Sequence, residues 1–329
     1  MVERIDLAHI PTPLHRLERL SDIWGGDIWI KRDDQTGSGL SGNKVRKLEY
    51  LLADARKRKA DTVITCGAIQ SNHCRATAIA SARLGFKCML LLRGDPDTEI
   101  DGNLFLDRLA GAEVHVIPEE RYHESLDEEL NKLADLARLR GGKPYIVPEG
   151  GSNPLGAWGY VQAIFEARDQ CHKLGVKPER IICATGSGGT HAGLWVGTRL
   201  AKWNTEVISA SVCYDSAETV DRIAVIIDGI IDIQKLDTRY SKSEIKVLDG
   251  YRGPGYAKAT TVEFGVISEA LKDEGLIVDP VYTGKAMNAI KSELRAGNFN
   301  GTTLFWHTGG MFGIFPFKNK FGDFLTPTI

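Results

Sequence analysis

Five short segments of this sequence hold residues that could do chemistry. The first is Gly37-Ser38-Gly39-Leu40-Ser41-Gly42-Asn43-Lys44, close to the G-x-x-x-x-G-K-[ST] loop that wraps nucleotide phosphates. It fails that pattern because Asn43 intrudes before the lysine and Val45 replaces the hydroxyl residue that would hold Mg²⁺. Lys31-Arg32-Asp33-Asp34, which precedes it, does not read as a buried strand either. What remains is a glycine-rich turn that delivers one lysine to the start of a helix, with an apolar face at Val45, Leu48, Leu52 and Ala55. An ammonium there meets the positive end of the helix dipole. Partial burial adds to this and favours the free amine, the form that condenses with a carbonyl. An exposed lysine in a surface loop would carry the same local sequence.

The second segment, Thr185-Gly186-Ser187-Gly188-Gly189-Thr190, follows an apolar run at 180–184 and precedes a helical pattern. Successive backbone N–H groups in such a loop hold a phosphate. A dinucleotide fingerprint starting at Gly186 would need glycine at 191, where the chain has His191. That leaves a small phosphorylated group, or a structural turn. The third segment, Ser71-Asn72-His73, opens a small-residue helix after the strand at 62–66. Its polar side chains and free N–H groups suit a carboxylate, although plain helix capping uses the same residues. Tyr256 and Tyr282 form the fourth set; their glycine-flanked turns aim both rings outward, towards a ligand or an interface. The last is His307-Thr308-Gly309-Gly310, where Thr308 could meet a ring edge and the histidine reads as a satisfied core residue. A carbonyl-capturing lysine, a monophosphate loop and a carboxylate cradle combine in few chemistries, and pyridoxal phosphate acting on an amino acid is the leading one.

Positioning these groups requires parallel βαβ units. Strand-length runs occur at 62–66, 87–92, 113–117, 144–147, 180–184, 206–213 and 302–306. Helical patterns lie at 73–84, 102–110, 123–139, 155–174, 191–202, 217–229, 260–273 and 284–295. The fold expected is α/β: two open, mainly parallel twisted sheets flanked by helices. Residues 1–48 and 155–329 would form a large cofactor-binding domain, and 49–154 a small inserted one. The tail after Gly313 reads as irregular.

Composition narrows the function. The chain has 329 residues, a net charge of −2 and 43% hydrophobic residues. No block of like charge suits a nucleic acid and no apolar run suits a membrane. Glycine, at 35 residues, is about 11% against a usual 7% or so, as close backbone approach requires. The six cysteines form no C-x-x-C and sit mostly in apolar contexts, which reads as reduced thiols. The N-terminus lacks a signal-peptide pattern, and the expected compartment is the cytoplasm.

The segments Leu40-Ser-Gly-Asn-Lys-Val-Arg-Lys-Leu-Glu49, Gln70-Ser-Asn-His-Cys-Arg-Ala-Thr-Ala78, Gly186-Ser-Gly-Gly-Thr190, Leu276-Ile-Val-Asp-Pro-Val-Tyr-Thr-Gly-Lys285 and His307-Thr-Gly-Gly310 resemble the 1-aminocyclopropane-1-carboxylate (ACC) deaminase and D-cysteine desulfhydrase family of fold-type II pyridoxal-phosphate enzymes, related in fold to the tryptophan synthase β chain. The resemblance runs from about residue 8 to 315. It implies Lys44 as the Schiff-base lysine, Gly186, Ser187, Gly188, Gly189 and Thr190 as the phosphate site, and Asn72 beside the cofactor's phenolic oxygen. It also implies Thr308 at the pyridine nitrogen, Ser71, Asn72 and His73 on the substrate carboxylate, and Tyr256 and Tyr282 on the reacting side. The implied reaction is β-elimination of D-cysteine to pyruvate, hydrogen sulfide and ammonia by a homodimer. ACC deaminases carry glutamate, glutamine and leucine where this chain has Thr283, His73 and Thr308, which argues against ring opening. L-cysteate or another β-substituted amino acid is an alternative substrate, with Arg75, Lys258 or Arg252 as the extra cation a sulfonate would want. A non-catalytic pyridoxal-phosphate-binding protein and a nucleotide-dependent kinase are further readings. Retention of both tyrosines with Ser71 weighs against the former and the broken phosphate-loop pattern against the latter.

Overall fold

The computed structural model describes residues 2–325. In chain order the elements are β1 (Leu14–Arg16), α1 (Glu18–Trp24), β2 (Asp27–Lys31), α2 (Asn43–Lys57), β3 (Thr62–Ala68), α3 (Asn72–Leu84), β4 (Lys87–Arg93), α4 (Gly102–Leu109), β5 (Glu113–Ile117), α5 (Glu119–Leu139) and β6 (Pro144–Ile146). They continue as α6 (Pro154–Leu174), β7 (Arg180–Thr185), α7 (Gly189–Leu200), β8 (Glu206–Ser211), α8 (Ser216–Gln234), β9 (Lys246–Leu248), α9 (Thr261–Glu274), α10 (Thr283–Arg295) and β10 (Thr302–Trp306).

The strands make two sheets, ordered β1-β2-β10-β7-β8-β9 and β5-β4-β3-β6. Every pairing is parallel except β1 with β2. β3, β4 and β7 are buried along nearly their whole length, as continuous apolar runs covered on both faces must be. In the larger sheet the chain leaves β7 towards β8 and later returns to its other side as β10. In the smaller sheet it leaves β3 towards β4 and returns as β6. Order therefore reverses at β7 and at β3, and open parallel sheets form crevices at the carboxyl ends of such strands.

Several expectations need correction. Lys31 ends a strand, β2, and is fully buried; β2 joins β1 and α1 in tying residues 14–31 to the larger sheet. The short apolar run Ile28-Trp29-Ile30, closed by charged residues at both ends, hides the strand. α7 begins at Gly189 rather than 191, because the glycine turn itself supplies its first residues. α8 runs on to Gln234. Residues 315–324 form successive 3₁₀ turns where irregular chain is expected.

Close helix packing holds the two crevices together. A Cβ placed on Gly159 of α6 would lie 2.2 Å from the Arg46 carbonyl oxygen of α2, and one on Gly193 of α7 would lie 2.3 Å from the Ala157 carbonyl oxygen of α6. α6 is thus gripped between α2 and α7 at two points that only glycine allows. Beneath them lies a buried charged hub. The Asp33 carboxylate accepts hydrogen bonds from Arg46, Tyr160, Trp306 and Thr12, and Arg46 and Lys31 both pair with Glu166.

Candidate active site

One cleft, open to solvent, lies between the carboxyl ends of the two sheets. Lys44, Ser71, Asn72, His73, Gly186, Ser187, Gly188, Gly189, Thr190, Tyr256, Tyr282 and Thr308 all line it. Residues separated by up to 264 positions in sequence are brought together by the two strand-order reversals.

Lys44 is the second residue of α2, held there by its turn. Gly42 has φ +93°, and a Cβ on it would meet the Thr308 carbonyl oxygen at 2.9 Å. That carbonyl also accepts the Asn43 N–H (3.0 Å), while the Asn43 side chain donates to the Thr190 hydroxyl (3.0 Å). The residue that breaks the nucleotide-loop pattern therefore staples the lysine turn to the glycine loop. Burial pushes the Lys44 ammonium down to about 8, opposed chiefly by the negative charge of Glu149. The exposed-loop alternative is thereby replaced: this amine is half-buried in the cleft and partly free near neutral pH.

The glycine loop caps β7 and begins α7, with Gly188 in the left-handed region at φ +86°. The first N–H groups of α7 have no partners within the helix. Ser187 Oγ lies 2.7 Å from Ser152 Oγ. Lys47, one turn beyond Lys44, donates to the Gly150 carbonyl and to Ser152 Oγ (3.2 and 3.0 Å) and makes no ion pair among the described residues. Its Nζ would stand 2.8 Å from a Cβ on Gly189. Burial, with the nearby Lys44, pushes its ammonium well down. A buried amine with no countercharge of its own, whose charged form an anion would restore, fits a phosphate beside free N–H donors. Lys47 escapes sequence reading because nothing local tells a buried helix lysine from a surface one.

Ser71 caps α3, its hydroxyl accepting the Cys74 N–H at 3.2 Å. Asn72 Oδ1 accepts from Asn103 (3.0 Å), which leaves its amide N–H groups to donate elsewhere. The His73 ring turns into the small sheet, 2.8 Å from Thr65 Oγ1, and burial keeps it neutral. What His73 can offer an anion is its backbone N–H at the head of the helix.

Tyr256 and Tyr282 face inward, not outward: their hydroxyls are 2.9 Å apart and their rings meet edge to face. The turns that expose them locally are folded over by the rest of the cleft. Thr308 lines the cleft, whereas Thr283 lies behind it. The Thr283 hydroxyl donates to Asp279 Oδ1 (2.6 Å) and contacts the Gly309 carbonyl oxygen at 3.4 Å. Of the two threonines Thr308 is the one that can meet a ligand in the cleft, and the buried Asp279 carboxyl stands one layer behind. Cys213 also faces the cleft, its thiol pushed up to about 12 by burial. Arg75, Arg252 and Lys258 do not line it; Arg75 is buried, held by Asn103 and the Gly39 and Ser41 carbonyls. The cations that do are Lys44, Lys47, Arg93 and Arg222. Glu149 lines it too, accepting from Arg93 and from the Tyr122 hydroxyl (2.9 Å each).

Residues 5–309 match the family of pyridoxal-phosphate dependent enzymes. The chain is 42% identical over 320 residues to the bifunctional D-cysteine desulfhydrase/1-aminocyclopropane-1-carboxylate deaminase of Arabidopsis thaliana, covering 94% of this chain and 78% of that protein. It is 39% identical over 324 residues to the D-cysteine desulfhydrase of Serratia proteamaculans, covering 95% and 96%. The crystal structure of an ACC deaminase homologue superimposes with a TM-score of 0.91 at 35% identity, covering 98% of this chain and 96% of that one. Similarity of this extent, over a cleft that suits a phosphate and a carbonyl-capturing amine, means that the chain belongs to the pyridoxal-phosphate dependent enzyme family and takes pyridoxal 5'-phosphate as its cofactor.

Proposed function

We propose that this enzyme is a carbon–sulfur lyase that converts D-cysteine and water to pyruvate, hydrogen sulfide and ammonia. The observation that carries the reading is the meeting of one low-pKa amine with two anion cradles in a single cleft. When bound, the cofactor supplies an electrophilic carbonyl and an electron-accepting ring. Gly186, Ser187, Gly188, Gly189, Thr190 and Lys47 hold its phosphate, and Asn72 donates to its phenolic oxygen. Ser71 and the N–H groups of Asn72 and His73 hold the substrate carboxylate. Lys44, as the free amine, takes the Cα proton. Tyr256 and Tyr282 close the reacting side against water while the Cβ–S bond breaks and its electron pair leaves on sulfur.

Thr308 carries no charge, so the ring nitrogen has a neutral partner. Loss of a stable thiolate needs less charge stabilisation than opening a cyclopropane ring, for which a carboxylate partner would help. The desulfhydrase name of the Serratia protein agrees with this choice. Residues 1–48 and 155–329 act as the cofactor-binding domain and 49–154 as the inserted one, a division that follows the two sheets. The six unbridged thiols fit a reducing cytoplasm, and the homodimer rests on the resemblance alone.

The test is to assay D-cysteine, L-cysteine, L-cysteate and ACC side by side. Sulfide and pyruvate should appear from D-cysteine, with little product from L-cysteine and little 2-oxobutanoate from ACC. Comparable 2-oxobutanoate from ACC would overturn the argument from Thr308, and a preference for L-cysteate would change the substrate alone.

A further inference from the structure

Arg93 ends β4, directly beside Ala68 of β3 and therefore next to the Ser71–His73 cradle. Its side chain is 11% exposed, yet it lines the cleft. The guanidinium lies over two aromatic rings, 5.0 Å from the centre of Tyr122 and 4.9 Å from that of Tyr256. Tyr122 belongs to α5, beside the smaller sheet, whereas Tyr256 packs with the core of the larger one. Of the five N–H donors on the group, one is hydrogen-bonded among the described residues, to Glu149 Oε1. That oxygen is shared with the Tyr122 hydroxyl.

We infer that Arg93 selects the substrate's side chain by holding an anionic group on its β-carbon, so that the cleft takes amino acids ending in a thiolate, sulfonate or carboxylate ahead of neutral ones. This rests on the reading that the cleft binds an amino acid by its carboxylate at Ser71–His73 and its amine near Lys44. Once those ends are fixed, the Tyr256 wall is left for the side chain, and Arg93 is the cation at that wall. Glu149 keeps the guanidinium aimed and tempers its charge. A desolvated guanidinium with unspent donors favours an anion over its neutral isostere by roughly 10-fold to 100-fold.

The test uses aspartate and asparagine, in both enantiomers, titrated into the holoenzyme by calorimetry. They differ in side-chain charge and little in shape, and have no β leaving group. The wild type should bind at least one enantiomer of aspartate roughly tenfold or more tightly than the matching asparagine. Arg93→Gln should bring that ratio near one, Arg93→Lys should keep part of it, and Glu149→Gln should widen it. Equal binding by the wild type, tighter binding of asparagine, or an unchanged ratio in Arg93→Gln overturns the assignment. So does an equal loss of both ligands in that variant, which would put Arg93 on the α-carboxylate. If Arg93→Gln does not fold, the Arg93→Lys and Glu149→Gln ratios decide, and no change in either refutes it. A ratio that collapses in Arg93→Gln, in an enzyme that makes no sulfide from D-cysteine, keeps the side-chain site and rejects the desulfhydrase reading. Sulfide release with a ratio indifferent to Arg93 does the reverse.

Discussion

Lys44 must lose a proton before it can attack a carbonyl, and its surroundings set the pH at which it does so. Burial lowers its pKa to about 8 while the Glu149 carboxylate pulls the other way. Covalent capture of pyridoxal phosphate by the cofactor-free protein should therefore speed up with pH and level off above about 8. Glu149→Gln should move that midpoint lower, because the charge that keeps the proton on is gone. Stopped-flow absorbance across pH 6–10 measures both, and a midpoint that stays put in the variant refutes the coupling. Lys44→Ala should still bind the cofactor without a bond; borohydride reduction and peptide mass mapping would then find no modified lysine. A modified residue elsewhere would mean that the attachment site lies at another position. Lysine chemistry was legible from the turn and the helix start. Lys47, Arg93 and Glu149 were not, because partners more than 50 residues away in sequence define their roles.

At the scale of elements, α2 carries the lysine, α7 the phosphate cradle, and α6 fixes their separation. Gly159 and Gly193 stand where the added Cβ would strike backbone oxygen at 2.2 and 2.3 Å, and backbone cannot step aside as a flexible side chain can. Gly159→Ala and Gly193→Ala should each cost about 1–3 kcal/mol by forcing the helices apart. Each should also weaken cofactor binding. Gly265→Ala in α9 is the contrast: its Cβ would meet Phe324 at an ordinary 3.6 Å, and the helix gains up to about 1 kcal/mol from the better former. Urea unfolding of the three variants tests the ordering. A Gly193→Ala protein as stable as wild type would show that the crossing is not a tight one. Periodicity revealed α6 and α7 as helices, but which glycines lie at crossings depends on how the helices are laid together.

For the molecule as a whole, the Asp33 hub joins β2, α2, α6 and β10 beneath the cleft. Burial alone would raise its carboxyl, but the Arg46 guanidinium outweighs that and holds it down at about 2. A depressed carboxyl pKa stabilises the fold fully above its unfolded value near 4, and that stability is lost as pH falls through about 2. The contribution is about 2 kcal/mol. Asp33→Asn should lose this acid dependence and, by leaving Arg46 short of a buried partner, cost about 3–5 kcal/mol at neutral pH. Urea melts near pH 7, 4 and 3 check it: wild type should weaken over the last step more than the variant does. Equal slopes in the two proteins would show that Asp33 titrates normally.

The strand run at 62–66 and the Ser71-led helix start were determined by the sequence alone, because apolar spacing and capping chemistry act over a few residues, whereas the glycine turn hid the first residues of α7. The same locality made the lysine turn, the glycine loop and the serine-led helix readable as three separate pieces of chemistry. Tertiary structure decided that they share one cleft, since strand order reverses at β3 and β7 and no local pattern records which strand is neighbour to which. It also turned Tyr256 and Tyr282 inward, withdrew Thr283 behind Gly309, and put Arg93 at the wall where Arg75, Arg252 and Lys258 had been the candidates. Where a side chain points depends on what else packs against it, and those partners come from elements far apart in the chain.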